Sequence, residues 1–240
     1  MEEKNKMARV DFGSTVINKL LEGGIERDVI TTVFGAAGTG KSNLAIIATI
    51  AGAKRGKVIF IDTESDFSIE RAKQIEPEIN NLMNNIHIMR SFEFEEQQKA
   101  IRDLRELIQK EKIELIVIDS LTMLYRLERP EDPKEINLEL TKQLSILSSI
   151  ARKNNIPILV TNQVYSSFDK RDEIRMVGGE ILAYWSKCLI RLEKVNSFRK
   201  AELMKHRSLP EGRTVWFEIV NEGLKEIEEP KDKEKRFSLF

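Results

Sequence analysis

The chain has 240 residues, of which 41% are hydrophobic and 32% are charged, and this size suits one large α/β domain with a full core. Its 39 basic and 39 acidic residues cancel, so the overall charge gives no argument for nucleic-acid binding, and any basic surface must be local. The single cysteine, Cys188, makes neither a disulfide within the chain nor a zinc site, and it suits a reducing compartment. No signal peptide is visible from Met1 to Asp11, and the apolar run from Leu44 to Ala53 is too short to cross a bilayer. We therefore expect a cytoplasmic protein without a membrane partner.

Two short units come first in the chain. Residues 1–9 are predicted to be a mobile lead. The segment from Thr15 to Leu21 has helical spacing and ends at Gly23-Gly24, which predicts a helix packed against the central sheet.

A glycine-rich loop between a predicted strand and a predicted helix is the strongest motif. An apolar run from Val29 to Phe34 leads into Gly35-Ala36-Ala37-Gly38-Thr39-Gly40-Lys41-Ser42, and a helix is predicted from Asn43 to about Ala53. The eight residues fit the P-loop pattern G-x-x-x-x-G-K-[ST]. The pattern predicts that backbone N–H groups and the helix N-terminus hold phosphates, that Lys41 reaches the β- and γ-phosphates, and that the Ser42 hydroxyl ligates Mg²⁺. An accidental glycine-rich turn is the less favoured interpretation.

Downstream of this loop, apolar runs alternate with amphipathic segments. The predicted strands are Val58 to Asp62, Ile86 to Met89, Leu115 to Asp119 and Pro157 to Gln163; the predicted helices are Ser68 to about Ile79, Glu93 to Lys112 and Glu135 to Asn154, with a polar loop from Leu127 to Pro133. This rhythm predicts a mostly parallel sheet with helices on both faces. Ligands bind at the carboxyl ends of such strands, where Gly35, Glu64, Asp119 and Gln163 would converge.

The last third of the chain has a different pattern. The segment from Ser166 to Val177 is polar and predicts a mobile loop before the Gly178-Gly179 turn. Three strand-like segments then suggest an antiparallel extension of the sheet: Ser186 to Glu193, Arg199 to Lys205 and Thr214 to Val220. We predict a single domain over residues 1–228 and a charged tail over residues 229–240 that is disordered or docks on a partner.

Three polar residues at strand ends are candidates for chemistry. Asp119 ends a buried strand and is predicted to bind Mg²⁺, unless it only caps a helix. Glu64 ends a strand that we expect to lie next to the P-loop strand, and it is predicted to polarise the attacking water; Asp62 and Asp66 compete for this role, and a solvated loop acid is the alternative. Gln163 is predicted to sense the γ-phosphate and pass its presence to the following loop, unless it is an ordinary polar group at a sheet end.

Two segments are candidate nucleic-acid surfaces. The first, Ser166 to Val177, carries Phe168 and three cations, but three acids cancel its charge. The second, Arg199 to Arg207, contains one basic pair, Arg199-Lys200, and one basic triplet, Lys205-His206-Arg207. For both segments a solvated face is the simpler interpretation.

Taken together, the motifs resemble the core of the RecA-type recombinases over nearly the whole chain. The segments that carry the resemblance are Gly35 to Ser42, Phe60 to Glu64, Leu115 to Ser120, Thr161 to Val164, Gly178-Gly179 and Arg207 to Gly212. The second and fourth of these distinguish this family from P-loop proteins at large. The resemblance extends to archaeal recombinase paralogues that consist of the ATPase core alone.

The resemblance implies a RecA-like P-loop NTPase core that binds ATP and Mg²⁺, hydrolyses ATP slowly and acts in homologous recombination and DNA repair. It implies DNA binding of modest affinity, partners such as the main recombinase or a junction nuclease, and a possible homo-oligomer. Strand exchange is not expected. Before residue 13 there is no room for the helical DNA-binding domain of archaeal recombinases or for their filament linker, and the segment from Glu128 to Pro133 has two prolines and three acids where recombinases are rich in Arg and Gly.

Two other functions share this pattern. One is a regulatory or signalling RecA-fold ATPase of the KaiC kind, which acts on protein rather than DNA; a DNA titration across salt concentrations would separate it from the first interpretation. The other is a nucleotide-dependent interaction module with negligible catalysis, whose partner binding would need ATP and survive the loss of Glu64.

Overall fold

The computed structural model describes residues 9–128, 133–165 and 175–230, and the fold is built on one nine-stranded sheet. The strands are β1 Arg9–Val10, β2 Ile25–Glu26, β3 Ile30–Gly35, β4 Lys57–Asp62, β5 Ile86–Arg90, β6 Ile113–Asp119, β7 Ile158–Asn162, β8 Val164–Tyr165, β9 Arg175–Met176, β10 Cys188–Val195, β11 Phe198–His206, β12 Thr214–Val220 and β13 Gly223–Ile227. The sheet order is β13-β12-β11-β10-β3-β7-β6-β4-β5, while β1 pairs with β2 and β8 with β9.

Helices cover both faces of this sheet. They are α1 Thr15–Leu20, α2 Lys41–Ala53, α3 Ile69–Ile75, α4 Ile79–Leu82, α5 Phe94–Lys110, α6 Met123–Leu127, α7 Pro133–Asn154 and α8 Gly179–Trp185, with a 3₁₀ turn at Met83–Asn85. Side chains along β6 alternate between two cores, because successive residues of a strand point to opposite faces. Leu115 and Val117 join a core with α1 and α2, whereas Ile116 and Ile118 join a core with α5 and α7. None of the described helices is long and apolar enough to cross a membrane.

The α/β fold with a mostly parallel sheet and an antiparallel C-terminal part is confirmed. The strands β10, β3, β7, β6, β4 and β5 are all parallel, and β11, β12 and β13 continue the sheet in antiparallel order. The first of the three late strands therefore belongs to the parallel part, since β10 pairs with β3. The strand β13 was not predicted.

One expected neighbour relation is wrong. The strand that leads to Glu64, β4, does not lie next to the P-loop strand β3, because β7 and β6 lie between them. Strands that follow each other in the chain need not be neighbours in a parallel sheet, so the order of strands in the sheet cannot be read from their order in the chain. Glu64 nevertheless stays at the carboxyl edge, where all the parallel strands end.

Several helix boundaries also differ from the prediction. The first helix after the P-loop begins at Lys41 instead of Asn43, and the helix predicted up to Ile79 ends at Ile75. The short helices α6 and α8 were not predicted, because five or seven residues give too little periodicity to recognise. Gly178, expected in a turn, is the N-cap of α8 and has a φ of 70°. The predictions for residues 1–8, 129–132, 166–174 and 231–240 lie outside the described residues.

The core beneath the carboxyl edge can be tested at Leu147 of α7. This side chain is fully buried in the same core as Ile118 and Val160. Leu147→Ala should lower the free energy of unfolding by about 2–5 kcal/mol, because the lost contacts leave a cavity. Urea unfolding measures the effect.

The control is Leu138→Ala on the same helix. Leu138 is 54% exposed, so its truncation should change stability by no more than about 0.5 kcal/mol. Equal losses at both positions would contradict this packing.

Candidate nucleotide-binding site

The P-loop begins at Gly35, the last residue of β3, and ends at Ser42, the second residue of α2. A Cβ on Gly35 would lie 2.4 Å from the carbonyl oxygen of Leu192 in the neighbouring strand β10, so only glycine fits this close approach. Gly40 has a φ of 103°, and a Cβ there would lie 2.8 Å from Cδ1 of Ile219. Glycine is therefore needed at both positions to give the loop its shape.

Lys41 and Thr39 close the loop from inside. The Nζ of Lys41 and the Oγ1 of Thr39 each donate a hydrogen bond of 2.9 Å to the carbonyl oxygen of Ala36. Burial lowers the pKa of Lys41, while Glu64, Asp119 and Asp66 counteract this shift. The ammonium group thus lies over the loop with acids around it, in a position to exchange a backbone carbonyl for phosphate oxygens.

A cleft of about 340 Å³ opens in front of this loop. It brings together the polar side chains predicted from the strand ends, since Lys41, Ser42, Glu64, Asp119 and Gln163 all line it. Glu64 lies two residues beyond β4, and Gln163 lies one residue beyond β7. The convergence expected from the sequence is therefore found, although β4 is three strands away from β3.

Asp119 is the buried acid of the cleft. Its Oδ1 accepts a hydrogen bond from the Thr161 hydroxyl, but its buried Oδ2 has no hydrogen-bond partner in the structure. Burial raises the pKa of Asp119 to about 6, with a further contribution from the nearby acids Glu64 and Asp66, while the hydrogen bond from Thr161 and the nearby Ser42 hydroxyl lower it. A buried carboxylate oxygen without a donor is a suitable ligand for a hard cation such as Mg²⁺, with the Ser42 hydroxyl beside it.

Glu64 and Gln163 are in direct contact. The Nε2 of Gln163 donates to both carboxylate oxygens of Glu64 at 3.1 Å, and the Ser120 hydroxyl donates to Oε1 at 2.6 Å. The candidate base and the candidate sensor thus form one hydrogen-bonded group. A phosphate placed near Gln163 would offer its amide another acceptor and would free the Glu64 carboxylate.

The two competing acids have different roles. The carboxylate of Asp62 accepts from the backbone N–H groups of Asp66 at 3.1 Å and Phe67 at 3.4 Å, so it shapes the turn after β4. Asp66 lines the cleft and accepts from the Ser42 hydroxyl at 3.2 Å. Asp66 therefore remains a competitor of Glu64, whereas the Asp62 carboxylate is already engaged with the backbone.

A series of hydrogen bonds connects Gln163 in the cleft with Val177, the last residue of the predicted loop from Ser166 to Val177. The backbone N–H of Val177 donates to the carbonyl of Gln163 at 3.0 Å, and the Asn162 amide donates to the carbonyl of Val177 at 2.9 Å. The Thr122 hydroxyl in turn bonds Asn162. Gln163 thus contacts Glu64 with its side chain and Val177 with its backbone.

Comparison with known proteins decides the family. The Rad51 family model matches residues 3–227. The chain belongs to the Rad51 family, in its archaeal RadB group. A protein named DNA repair and recombination protein RadB from Methanobrevibacter smithii is 41% identical over 216 residues, 87% of this chain and 92% of its own length. The RadB protein of Methanococcus maripaludis strain C5 is 42% identical over 88% of this chain and 98% of its own, and that of Archaeoglobus fulgidus is 37% identical over 90% and 97%. Rad51 and RecA family members are typically ATPases that bind ATP with Mg²⁺.

One residue of this Rad51-family chain lies elsewhere than predicted. Arg199 was expected on a nucleic-acid surface, but it lines the nucleotide cleft together with Ile219. Its Nη1 donates to the carbonyl oxygens of Ser197 and Phe198, and burial lowers its pKa. Arg199 therefore brings a second cation to the lining of the cleft. Sequence reasoning missed this role because the position depends on β11 following β10 in the sheet, which no local motif reveals.

The remaining cations of Arg199 to Arg207 are largely paired in this RadB-group chain. Lys200 bonds Glu202 at 3.1 Å, Lys205 donates to the carbonyl of Ala183 at 2.6 Å, and Arg207 pairs with Glu26 and Asp28, each at 2.8 Å. The carboxylate partners of Lys200 and Arg207 weaken the field that the segment presents to a phosphate backbone, whereas the carbonyl bound to Lys205 leaves the charge of that lysine uncompensated. Of the first candidate surface, residues 166–174 lie outside the described part of the chain.

His206 is buried under this segment as a neutral ring. Its side chain is 1% exposed, and Nδ1 accepts from the backbone N–H groups of Ser208 and Leu209, both at 3.1 Å. Because Nδ1 is an acceptor, the proton of the neutral ring lies on Nε2, which is 3.7 Å from a carboxylate oxygen of Glu26. Burial lowers the pKa of His206, Arg9 and Arg207 lower it further, and Glu26 counteracts them.

This burial predicts a pH dependence of stability. The pKa of His206 in the folded state lies below its value of about 6.5 in the unfolded state, so the unfolded state takes up a proton first as the pH falls. The histidine therefore favours the folded state fully above about pH 6.5, and this contribution is lost as the pH falls below that value. His206 therefore lowers the free energy of unfolding as the pH falls below about 7, whereas the raised pKa of Asp119 acts in the opposite direction over the same range. His206→Gln removes only the first contribution, so the variant should lose less stability than the unchanged chain as the pH falls from about 7. Urea unfolding at a series of pH values measures both slopes, with Met204→Gln on the same strand as the control. An equal slope in the His206 variant would contradict the buried neutral ring.

Proposed function

We propose that this chain is an ATP-binding, weakly ATP-hydrolysing and DNA-binding protein that regulates or mediates homologous recombination and DNA repair without performing strand exchange itself. The observation that carries the proposal is the cleft in which Lys41, Ser42, Glu64, Asp119 and Gln163 meet. The names of the RadB relatives, which describe DNA repair and recombination proteins, support the cellular role.

The P-loop is proposed to hold the triphosphate. The helix α2 begins at Lys41, and Lys41 lines the cleft together with the loop residues Ala37, Gly38 and Gly40, so the positive end of the helix dipole lies at the cleft. Lys41 would leave the Ala36 carbonyl and pair with the β- and γ-phosphates. Arg199 adds a second positive charge to the lining of the cleft.

Asp119 and Ser42 are proposed to hold Mg²⁺. The unpartnered Oδ2 of Asp119 and the hydroxyl of Ser42 are both oxygen ligands of the kind that Mg²⁺ prefers, and Mg²⁺ usually keeps several waters besides such ligands. When bound, the ion neutralises charge that develops on the phosphates.

Glu64 is proposed to orient the attacking water and accept its proton, and Gln163 to report the γ-phosphate. In the structure both carboxylate oxygens of Glu64 accept from Gln163, so the base is engaged until the amide finds another acceptor. A base that is released only after such a rearrangement supports slow turnover. The bond between Gln163 and Val177 supports transmission to the loop over residues 166–177.

DNA binding is proposed to be modest. Overall charge is zero, and the cations of Lys205 and Arg207 already have partners. The proposed surfaces remain the segments Ser166–Val177 and Arg199–Arg207 without Arg199 itself. The acidic segment from Glu128 to Pro133 supports a protein that acts beside the main recombinase or a junction nuclease, alone or as a homo-oligomer.

Removal of the P-loop lysine tests nucleotide binding. Lys41→Ala should weaken ATP binding by about tenfold to a hundredfold or more, because the phosphates lose a charged hydrogen-bond donor. Calorimetric titration with Mg²⁺ and ATP measures the affinity. Lys54→Ala, at an exposed lysine just beyond α2, is the control and should bind normally. Normal affinity in the Lys41 variant would exclude this site.

Removal of the candidate base tests hydrolysis. Glu64→Gln should keep ATP affinity and slow phosphate release by about a hundredfold, since an amide cannot accept the proton. Asp66→Asn is the matched variant, because Asp66 lines the same cleft but bonds Ser42, and it should slow hydrolysis less. The reverse order of the two effects would make Asp66 the base.

A DNA titration with and without ATP separates the proposed function from its alternatives. The logarithm of the binding constant should fall with the logarithm of salt concentration, with a slope of about 0.7 to 0.9 per phosphate contact, and a shallow total slope is expected here. Lys205→Ala with Arg207→Ala should reduce it further. ATP hydrolysis without DNA binding at low salt would favour a KaiC-like ATPase, and ATP-dependent partner binding that survives Glu64→Gln would favour an interaction module.

A further inference from the structure

A second groove of about 710 Å³ lies apart from the nucleotide cleft, and its floor is apolar. The start of α5, the short helix α6 and the start of α7 line it. Phe94 and Leu124 are buried in its floor, whereas Phe92 is 66% exposed and Leu127 is 58% exposed at its sides. Large apolar side chains so exposed, side by side in a groove, indicate a surface that binds a partner.

The charged residues at the rim of this groove are all acidic. Five glutamates line it, and its described lining contains no basic residue: Glu93, Glu95, Glu128, Glu135 and Glu139. Both Glu95 and Glu135 are exposed. Glu139 pairs with Lys142 at 2.6 Å, which leaves four glutamates that this pair does not compensate. Such a rim repels the phosphates of nucleic acid and attracts a segment that combines cations with apolar anchors.

The chain itself contains a segment of this chemistry. Residues 231–240 read Lys-Asp-Lys-Glu-Lys-Arg-Phe-Ser-Leu-Phe, with four basic and two acidic residues. Its second half combines Lys235 and Arg236 with Phe237, Leu239 and Phe240, and it contains no acid. The apolar side chains match the floor of the groove, and the two adjacent cations match its rim.

The topology places this segment far from the groove of its own copy. The last strand, β13, is antiparallel to β3, so Ile227 lies at the edge where the parallel strands begin, whereas the groove follows the ends of β5 and β6. From β13 to β6 there are six strand spacings of about 4.8 Å, and the strand length adds about 16 Å, so the straight distance is roughly 33 Å. Phe237 is ten residues after Ile227 and reaches at most about 35 Å when fully extended. The two lengths are nearly equal, so the segment would reach the groove of its own copy only when almost fully extended along a straight path, whereas docking into a second copy needs no such extension.

We propose that residues 231–240 of one copy dock into this groove of a second copy, with Phe237, Leu239 and Phe240 on its apolar floor and Lys235 and Arg236 on its glutamate rim. The contact is head-to-tail, because the donor and the acceptor surfaces lie at opposite edges of the sheet. It does not involve the nucleotide cleft.

Cross-linking of full-length chains tests which copy fills the groove. One chain carries Phe92→Cys and an affinity tag, and the other carries Leu239→Cys; after mixing and mild oxidation a covalent dimer of the two chains is expected. The native Cys188 is buried and stays in both chains. The control replaces Phe92→Cys by Met204→Cys on β11, which should give less of the mixed dimer. Equal yields from both mixtures, or a bond within one chain when both cysteines are combined, would overturn the proposal.

A charge exchange tests the recognition itself. In sedimentation equilibrium, Glu95→Lys with Glu135→Lys should weaken self-association by at least about tenfold, because cations then face cations. Adding Lys235→Glu and Arg236→Glu to the same chain should restore it. Glu211→Lys, at an exposed acid outside the groove, is the control. Circular dichroism confirms folding of each variant. Self-association that is absent in the unchanged chain, or that the groove variant leaves unchanged, would contradict the docking.

Discussion

The buried carboxylate of Asp119 is the constraint around which the site is arranged. Asp119 ends β6, which lies between β7 and β4, and residues of both neighbouring strands form hydrogen bonds with it. The Thr161 hydroxyl of β7 donates to Oδ1 of Asp119. The backbone N–H of Thr63, directly after β4, donates to the backbone carbonyl oxygen of Asp119 at 2.9 Å. One oxygen is left without a donor, in a place where burial, together with the nearby acids Glu64 and Asp66, raises the pKa to about 6. Burial of such a group costs free energy, and a cation beside the P-loop would compensate this cost.

The sequence is informative where chemistry is local, and the P-loop and the strand ends illustrate this. Eight consecutive residues specify the loop around Gly35 and Gly40, and an apolar run followed by an acid specifies Asp119. The meeting of Glu64 and Gln163 also follows from the sequence, because parallel strands end at one edge whatever their order. The strands next to β3 do not follow from the sequence, because chain order does not determine sheet order. For this reason the expectation that β4 lies next to β3 was wrong.

Positions that depend on long-range packing could not be predicted. Arg199 looks like part of a basic surface in the sequence, yet the pairing of β10 with β3 and of β11 with β10 turns it toward the nucleotide cleft. His206 looks like a cation between Lys205 and Arg207, yet two backbone N–H groups from Ser208 and Leu209 make it a buried acceptor. In both cases the cluster of basic residues in the sequence shows only composition. The hydrogen-bond partners and the position of each side chain in the fold determine the charge that it presents to a ligand.

The nucleotide cleft and the acidic groove are built on the same stretch of chain. Ser120, directly after Asp119, donates to Glu64, and the carbonyl of Leu121 accepts from the buried amide of Gln97 on α5 at 2.9 Å. Three residues farther, Leu124 lies in the floor of the groove. The segment from Asp119 to Leu124 is therefore packed at both ends, against the candidate base on one side and against the groove on the other. Because protein interiors are close-packed, the position of Ser120 beside Glu64 and the position of Leu124 in the groove both depend on how this short segment packs against α5 and leads into α6, and both of these helices line the groove.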